Sequence, residues 1–166
     1  MSPAYSLPDA ARAEDLLGLI FDGLSIKPCP KLDASNGAVG YFGVYVTDDG
    51  APAALCGCDT EFAANTGSAL SMLPPATAKE SVKVRTLTAV MLANLHEVMN
   101  ICTRLILREG SPHLRLREVS AVGALPADAA ALLTPAARRV DWQVDIPRYG
   151  SGVLCVICAN DPAVSK

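Results

Sequence analysis

The stretch RVDWQVDIPRYGSGVLCVICA, Arg139 to Ala159, joins two segments of different pattern through a turn. In the first, Val140, Trp142, Val144 and Ile146 alternate with Asp141, Gln143 and Asp145, the period of a strand with one apolar and one polar face. After PRYGSG, the run VLCVICA is apolar on both faces, which suits a strand in the sheet interior covered on both sides. Two strands joined by a short turn run antiparallel, because a parallel return needs a crossover of a dozen or more residues. Leu114 and Leu116 alternate with Arg115 and Arg117 upstream, and a short Ala-rich helix is expected after Pro126.

The same logic reads the first third. AVGYFGVYVTDDGAPAALCGC, Ala38 to Cys58, predicts two strands joined at Asp48-Asp49-Gly50, a favoured hairpin signal. An earlier strand is expected around Ile26 to Leu32. Before it, SLPDAARAEDLLGLIFDGL predicts a helix capped by Ser6 and Asp9 and closed at Gly23. After Asp59, Phe62, Thr66, Leu70 and Leu73 recur at helical spacing until Pro74-Pro75. Thr77 with Glu80 matches a capping box, and Gly110 with Pro112 marks the far end, so one rod of about 32 residues, roughly 48 Å, is expected between them. Antiparallel groups of strands without regular βα alternation define an α+β class. The expectation is a mostly antiparallel sheet of about six strands, packed by two long helices and an N-terminal helix, forming a single domain over residues 1–166.

Composition narrows the function classes. With 51% hydrophobic and 19% charged residues the 166-residue chain is a compact folded protein, and 5% aromatics leave its core to aliphatic side chains. A net charge of -3 without a basic cluster gives no footprint for nucleic acid. The first fifteen residues lack a signal-peptide pattern and no segment reaches the length of a membrane span, so a cytoplasmic protein without membrane contact is expected. The six cysteines are then expected to be reduced.

On the rod, Met91, Leu95, Val98, Cys102 and Leu105 form one apolar stripe. Ala93, Glu97, Asn100 and Arg104 share the opposite sector, a carboxylate, a carboxamide and a guanidinium above a small residue. Glu97 and Arg104 alone would be an ordinary solvated face. Asn100 is a middling helix former, because its side chain competes for backbone hydrogen bonds. Its amide offers two donors and an acceptor at fixed height, which suits holding a water for attack on something outside the protein.

Several other signals carry little. His96-Glu97-x-x-Asn100 lacks the second histidine of a zinc peptidase helix. Cys155 and Cys158 fall three apart in a strand and face opposite ways, unlike a metal knuckle or a redox Cys-x-x-Cys, and Cys56-x-Cys58 is read with them as buried thiols. The glycines of NGAVGYFG precede no helix, as a phosphate loop would require, and His113 has no triad partner.

The Glu97-x-x-Asn100 pair, on a helix following GVYV and GAPAALCGCDTEFAANTGSALSML, resembles the CheC/CheX/FliY family of chemotaxis phosphatases, over about Ile26 to Ala159. The resemblance implies an α+β fold with two long helices on an antiparallel sheet. It implies as substrate a CheY-like response regulator of two-component signalling, phosphorylated on aspartate. Asn100 would then orient the attacking water and Glu97 would pair with the regulator's lysine. No cofactor is expected of this chain, since any Mg2+ would belong to the regulator. The family commonly has Asp or Ser where this chain has Ala93, and often a small residue where it has Arg104. Glu61 and Asn65 have the wrong spacing for a second motif, so the resemblance is to a divergent, single-motif, CheX-like member. An interaction domain of the same fold without hydrolase activity is the alternative. Strand edges in this class also allow a homodimer.

Overall fold

The computed structural model describes residues 4–33 and 38–159, which leaves Asn36 and Gly37 of NGAVGYFG outside the described residues. Six strands form one sheet: β1 (Ser25–Pro28), β2 (Tyr41–Val46), β3 (Pro52–Cys58), β4 (Arg115–Ala121), β5 (Arg138–Ile146) and β6 (Gly150–Cys158). Their order is β1-β5-β6-β3-β2-β4 and every pairing is antiparallel. The helices are α1 (Ala10–Leu17), α2 (Thr60–Ala69), α3 (Pro75–Val84), α4 (Ala89–Ile106) and the single turn α5 (Ala127–Ala130). The architecture is α+β, as the two hairpins require.

β5 and β6 form the hairpin expected from their patterns, with Ile146 opposite Gly150. β6 lies between β5 and β3, and both its faces are covered. Leu154, Val156 and Cys158 enter the main core under the helices, while Cys155 and Ile157 enter a second cluster with Phe42, Val44, Val46 and Leu55. Leu32, Val122, Leu125, Leu132, Leu133 and Ala137 roof that second cluster. Cys155 and Cys158 therefore face opposite ways, and burial pushes their thiols up to about 12 and about 11.

The second roof corrects one expectation. Asp141, read as part of a polar outer face, is buried. Its carboxylate accepts from Arg139 through Nε at 2.9 Å and Nη2 at 2.6 Å, and from the Leu32 N–H at 2.8 Å. Alternation reports side-chain direction, but whether a polar face is solvated depends on what another segment lays over it. β1 is shorter than expected and stops at Pro28, and α1 ends at Leu17, well before Gly23.

The larger correction concerns the rod, which is two helices. α3 starts at Pro75, ahead of the expected Thr77 cap, and ends at Val84, followed by Arg85, whose backbone is left-handed at φ 52 and ψ 39. The Thr86 N–H returns to the Ser81 carbonyl at 3.1 Å, closing the helix end. Leu87 inserts into the core, and the Thr88 side chain accepts from the Met91 N–H at 3.2 Å to start α4. The break lies some three turns before Asn100, which sits inside the 18-residue α4.

Close backbone contacts set where α4 lies. A Cβ on Gly152 of β6 would stand 2.3 Å from the Phe62 nitrogen, so α2 begins directly against the sheet. Asp59 caps α2 there, accepting from the Phe62 N–H at 2.7 Å and from the Val153 N–H at 3.0 Å. A Cβ on Gly67 would approach the Met91 backbone to 2.9 Å, which brings α2 and α4 into near contact. Tyr45 of β2 donates its hydroxyl to the Met99 carbonyl at 2.5 Å and holds the middle of α4 to the sheet.

Candidate functional site

α4 is amphipathic in the sense expected. Met91, Leu95, Val98, Cys102 and Leu105 are all fully buried. Ala93, Glu97, Asn100 and Arg104 are all exposed on the other side, so the structure brings both candidate site residues to one open face. Val90, half exposed, extends this face one turn beyond Ala93 towards the helix start. Glu97 and Asn100 sit three residues apart, the spacing at which helical side chains are neighbours.

Three asparagines on the long elements show what an occupied amide looks like here. Asn94 of α4 donates through Nδ2 to the Gly67 carbonyl at 2.8 Å and to Ser71 Oγ at 2.7 Å, tying α4 to the end of α2. Asn65 of α2 is buried and points to the Ser151 carbonyl at 3.5 Å beneath the β5–β6 hairpin. The Asn100 amide has no hydrogen-bond partner among the described residues. Asn94 and Asn65 are structural, and Asn100 is available. Burial of Asn65 also means that α2 presents no second Glu/Asn ledge.

Arg104, which could have neutralised Glu97 from the same sector, does not. Among the described residues the ion pairs join Arg117 to Glu118 and Asp128 and Arg139 to Asp141, and His113 Nδ1 lies 2.6 Å from an Asp48 carboxylate oxygen. Glu97 and Arg104 thus remain as separate exposed charges. The turn that carries Arg104 is held from α1: Arg12 Nη2 donates to the Arg104 carbonyl at 2.8 Å and to the Leu107 carbonyl at 2.5 Å. A guanidinium at this end satisfies carbonyls that the helix itself leaves open and complements the negative end of its dipole. The contact spans more than ninety residues of sequence, and no local pattern announces it.

The Glu97–Asn100 face is open, in contrast to a cavity of about 520 Å³ on the far side of the sheet between Leu32 and Pro135. A ledge of this kind can engage another macromolecule's surface; it cannot enclose a small substrate. Among the described residues no group of histidine, cysteine and acidic side chains is arranged to hold a metal ion, and no helix is long and apolar enough to cross a membrane.

No family model matches the chain, and no curated protein matches its sequence. Solved structures do resemble it. CheX from Borrelia burgdorferi, in a complex with CheY, BeF3 and Mg2+, aligns with a TM-score of 0.53 and 15% identity, over 90% of this chain and 97% of that one. FliY from Thermotoga maritima aligns with a TM-score of 0.51 and 13% identity, over 89% of this chain and 82% of that one. Identities this low establish a shared fold, and that fold is the one found in CheX and FliY.

Proposed function

With the CheX and FliY fold as premise, we propose that this chain docks α4 onto a phosphorylated response regulator in chemotaxis or related two-component signalling and hydrolyses its aspartyl phosphate in the cytoplasm. The observation that carries the reading is the pairing of an unengaged Asn100 amide with Glu97 on one open face of α4, while Asn94 and Asn65 are bound into the structure. The CheX structure of similar fold was solved with CheY bound, which supports a regulator as the kind of partner.

The chemistry asks little of this chain. An acyl phosphate is already activated, and in this reading the regulator supplies the metal and the cationic groups, so the phosphatase need only position the nucleophile. The Asn100 carboxamide holds a water in line with the acyl P–O bond. The water oxygen forms a new bond to phosphorus as that bond breaks. Aspartate leaves as its carboxylate, and the water's protons pass to the released phosphate and solvent. Glu97 pairs with the regulator's lysine and sets the register of docking. A homodimer through the edge of β4 belongs to the same reading, since among the described residues β4 pairs with β2 alone and ends the sheet.

Ala93 and Arg104 favour a second reading, in which the domain binds a regulator without hydrolysing its phosphate. Phosphate release from a phosphorylated receiver protein at rising concentrations of this chain decides between the two. Acceleration that Asn100→Ala lowers roughly 100-fold supports the enzyme. Binding without acceleration identifies the interaction domain, and an Asn100→Ala rate equal to wild type removes the catalytic role of the amide.

A further inference from the structure

We infer that the groove between α1 and α4 is the second half of the docking surface, and that it selects partners carrying an acidic side chain beside an apolar one about a helical turn from the phosphorylated residue. This inference rests on the reading of the Asn100 face given above. Arg12, Asp15, Leu16, Leu19 and Arg104 line an open groove of about 310 Å³. Arg104 lies four residues from Asn100, so its side chain is the next one along the ledge and the groove continues the Glu97–Asn100 face.

Its chemistry is specific in two respects. Leu19 is 79% exposed and stands with Leu16 at the groove, an apolar contact that nothing in the chain covers among the described residues. The groove also gathers two guanidiniums against the single carboxylate of Asp15, an excess of one positive charge. Arg12 is fixed by its bonds to the Arg104 and Leu107 carbonyls, whereas the Arg104 guanidinium has no ion pair or hydrogen bond among the described residues. A free guanidinium with a planar fork of donors matches a carboxylate. Because it stands with the α1 residues a turn beyond Asn100, Arg104 reads a side chain next to the phosphoryl group and not that group itself.

The test measures binding of a CheY-type receiver, bare and loaded with BeF3 and Mg2+, to wild type, Arg104→Ala, Leu19→Ser and Asn100→Ala. Both groove positions are exposed, and circular dichroism checks that the variants fold. The expected result is an affinity loss of about fivefold for each groove variant, the size of one exposed ion pair or one partly buried leucine, equal for the two receiver forms. In turnover the groove variants then raise KM, whereas Asn100→Ala lowers kcat. Groove variants that bind and turn over as wild type, while Asn100→Ala binds as wild type and lowers kcat, overturn the groove alone. A loss confined to the BeF3-loaded receiver also overturns it, since Arg104 would then be touching the phosphoryl position. A wild type that binds neither form overturns the docking face and the groove together.

Discussion

Asn100 and Asp59 show how differently a polar residue on a helix can be used. Asn100 is directed outward by helical period alone, and the period of Met91, Leu95, Val98, Cys102 and Leu105 is enough to read that direction from the sequence. Asp59 is directed inward, between the start of α2 and β6, where burial pushes its carboxyl up to about 6 from 3.8 despite two N–H donors that favour the charge. A folded-state value above the unfolded one means that the folded form binds the proton more tightly. The contribution of Asp59 to stability is therefore full below about pH 4 and is lost as pH rises through about 6, by up to about 3 kcal/mol. Asn keeps the accepting oxygen and removes the charge. Asp59→Asn is thus expected to match wild type near pH 4 and to be the more stable protein at pH 7, as urea unfolding at the two pH values will show. The helical run after Asp59 was legible from the spacing of Phe62, Thr66, Leu70 and Leu73. The burial of Asp59 was not, because Val153 reaches it from the other end of the chain.

At the scale of elements, the helix pair α3 and α4 is where the sequence misleads. A capping box at one end and Gly110 at the other framed what read as one rod, yet the chain turns at a left-handed arginine and starts again at Thr88. Glycine is the usual residue for such a turn, so its absence hid the boundary. The two descriptions make opposite predictions for Arg85→Gly. In the middle of a helix glycine would cost about 1 kcal/mol, whereas at a left-handed position it should relieve strain and stabilise by about 0.5–1 kcal/mol. Chemical denaturation reads the sign directly. The contact between α2 and β6 gives a sharper case. Gly152→Ala places a methyl 2.3 Å from the Phe62 nitrogen, inside backbone that cannot yield without moving α2. A loss of roughly 3 kcal/mol is expected, visible as a lowered denaturation midpoint, and a neutral outcome would show that α2 does not sit on the sheet as described.

At the scale of the whole molecule, antiparallel topology was legible because both hairpins carry their own turn signals and because β6, apolar on both faces, had to be covered twice. The identity of the second cover was not legible. Leu125 to Ala137 has little regular structure beyond one turn of helix, so no period marks the face it buries. That cover encloses Asp141 with Arg139, and it leaves the helix side of the sheet as the side that presents α4 outward. The β sheet, α2 and Tyr45 together hold α4 from below, and Arg12 holds its far end. In the proposed role, the Asn100 amide on such a support needs no movement of this chain to meet a partner.

The most direct test of the central claim is the decay of a phosphorylated receiver followed alone, with wild type, and with Asn100→Ala, under conditions where binding of both proteins is measured in parallel. The account predicts that wild type shortens the lifetime of the phosphoryl group, and that the variant binds equally but leaves the lifetime close to that of the receiver alone. A variant that binds and still shortens the lifetime as wild type does would contradict it.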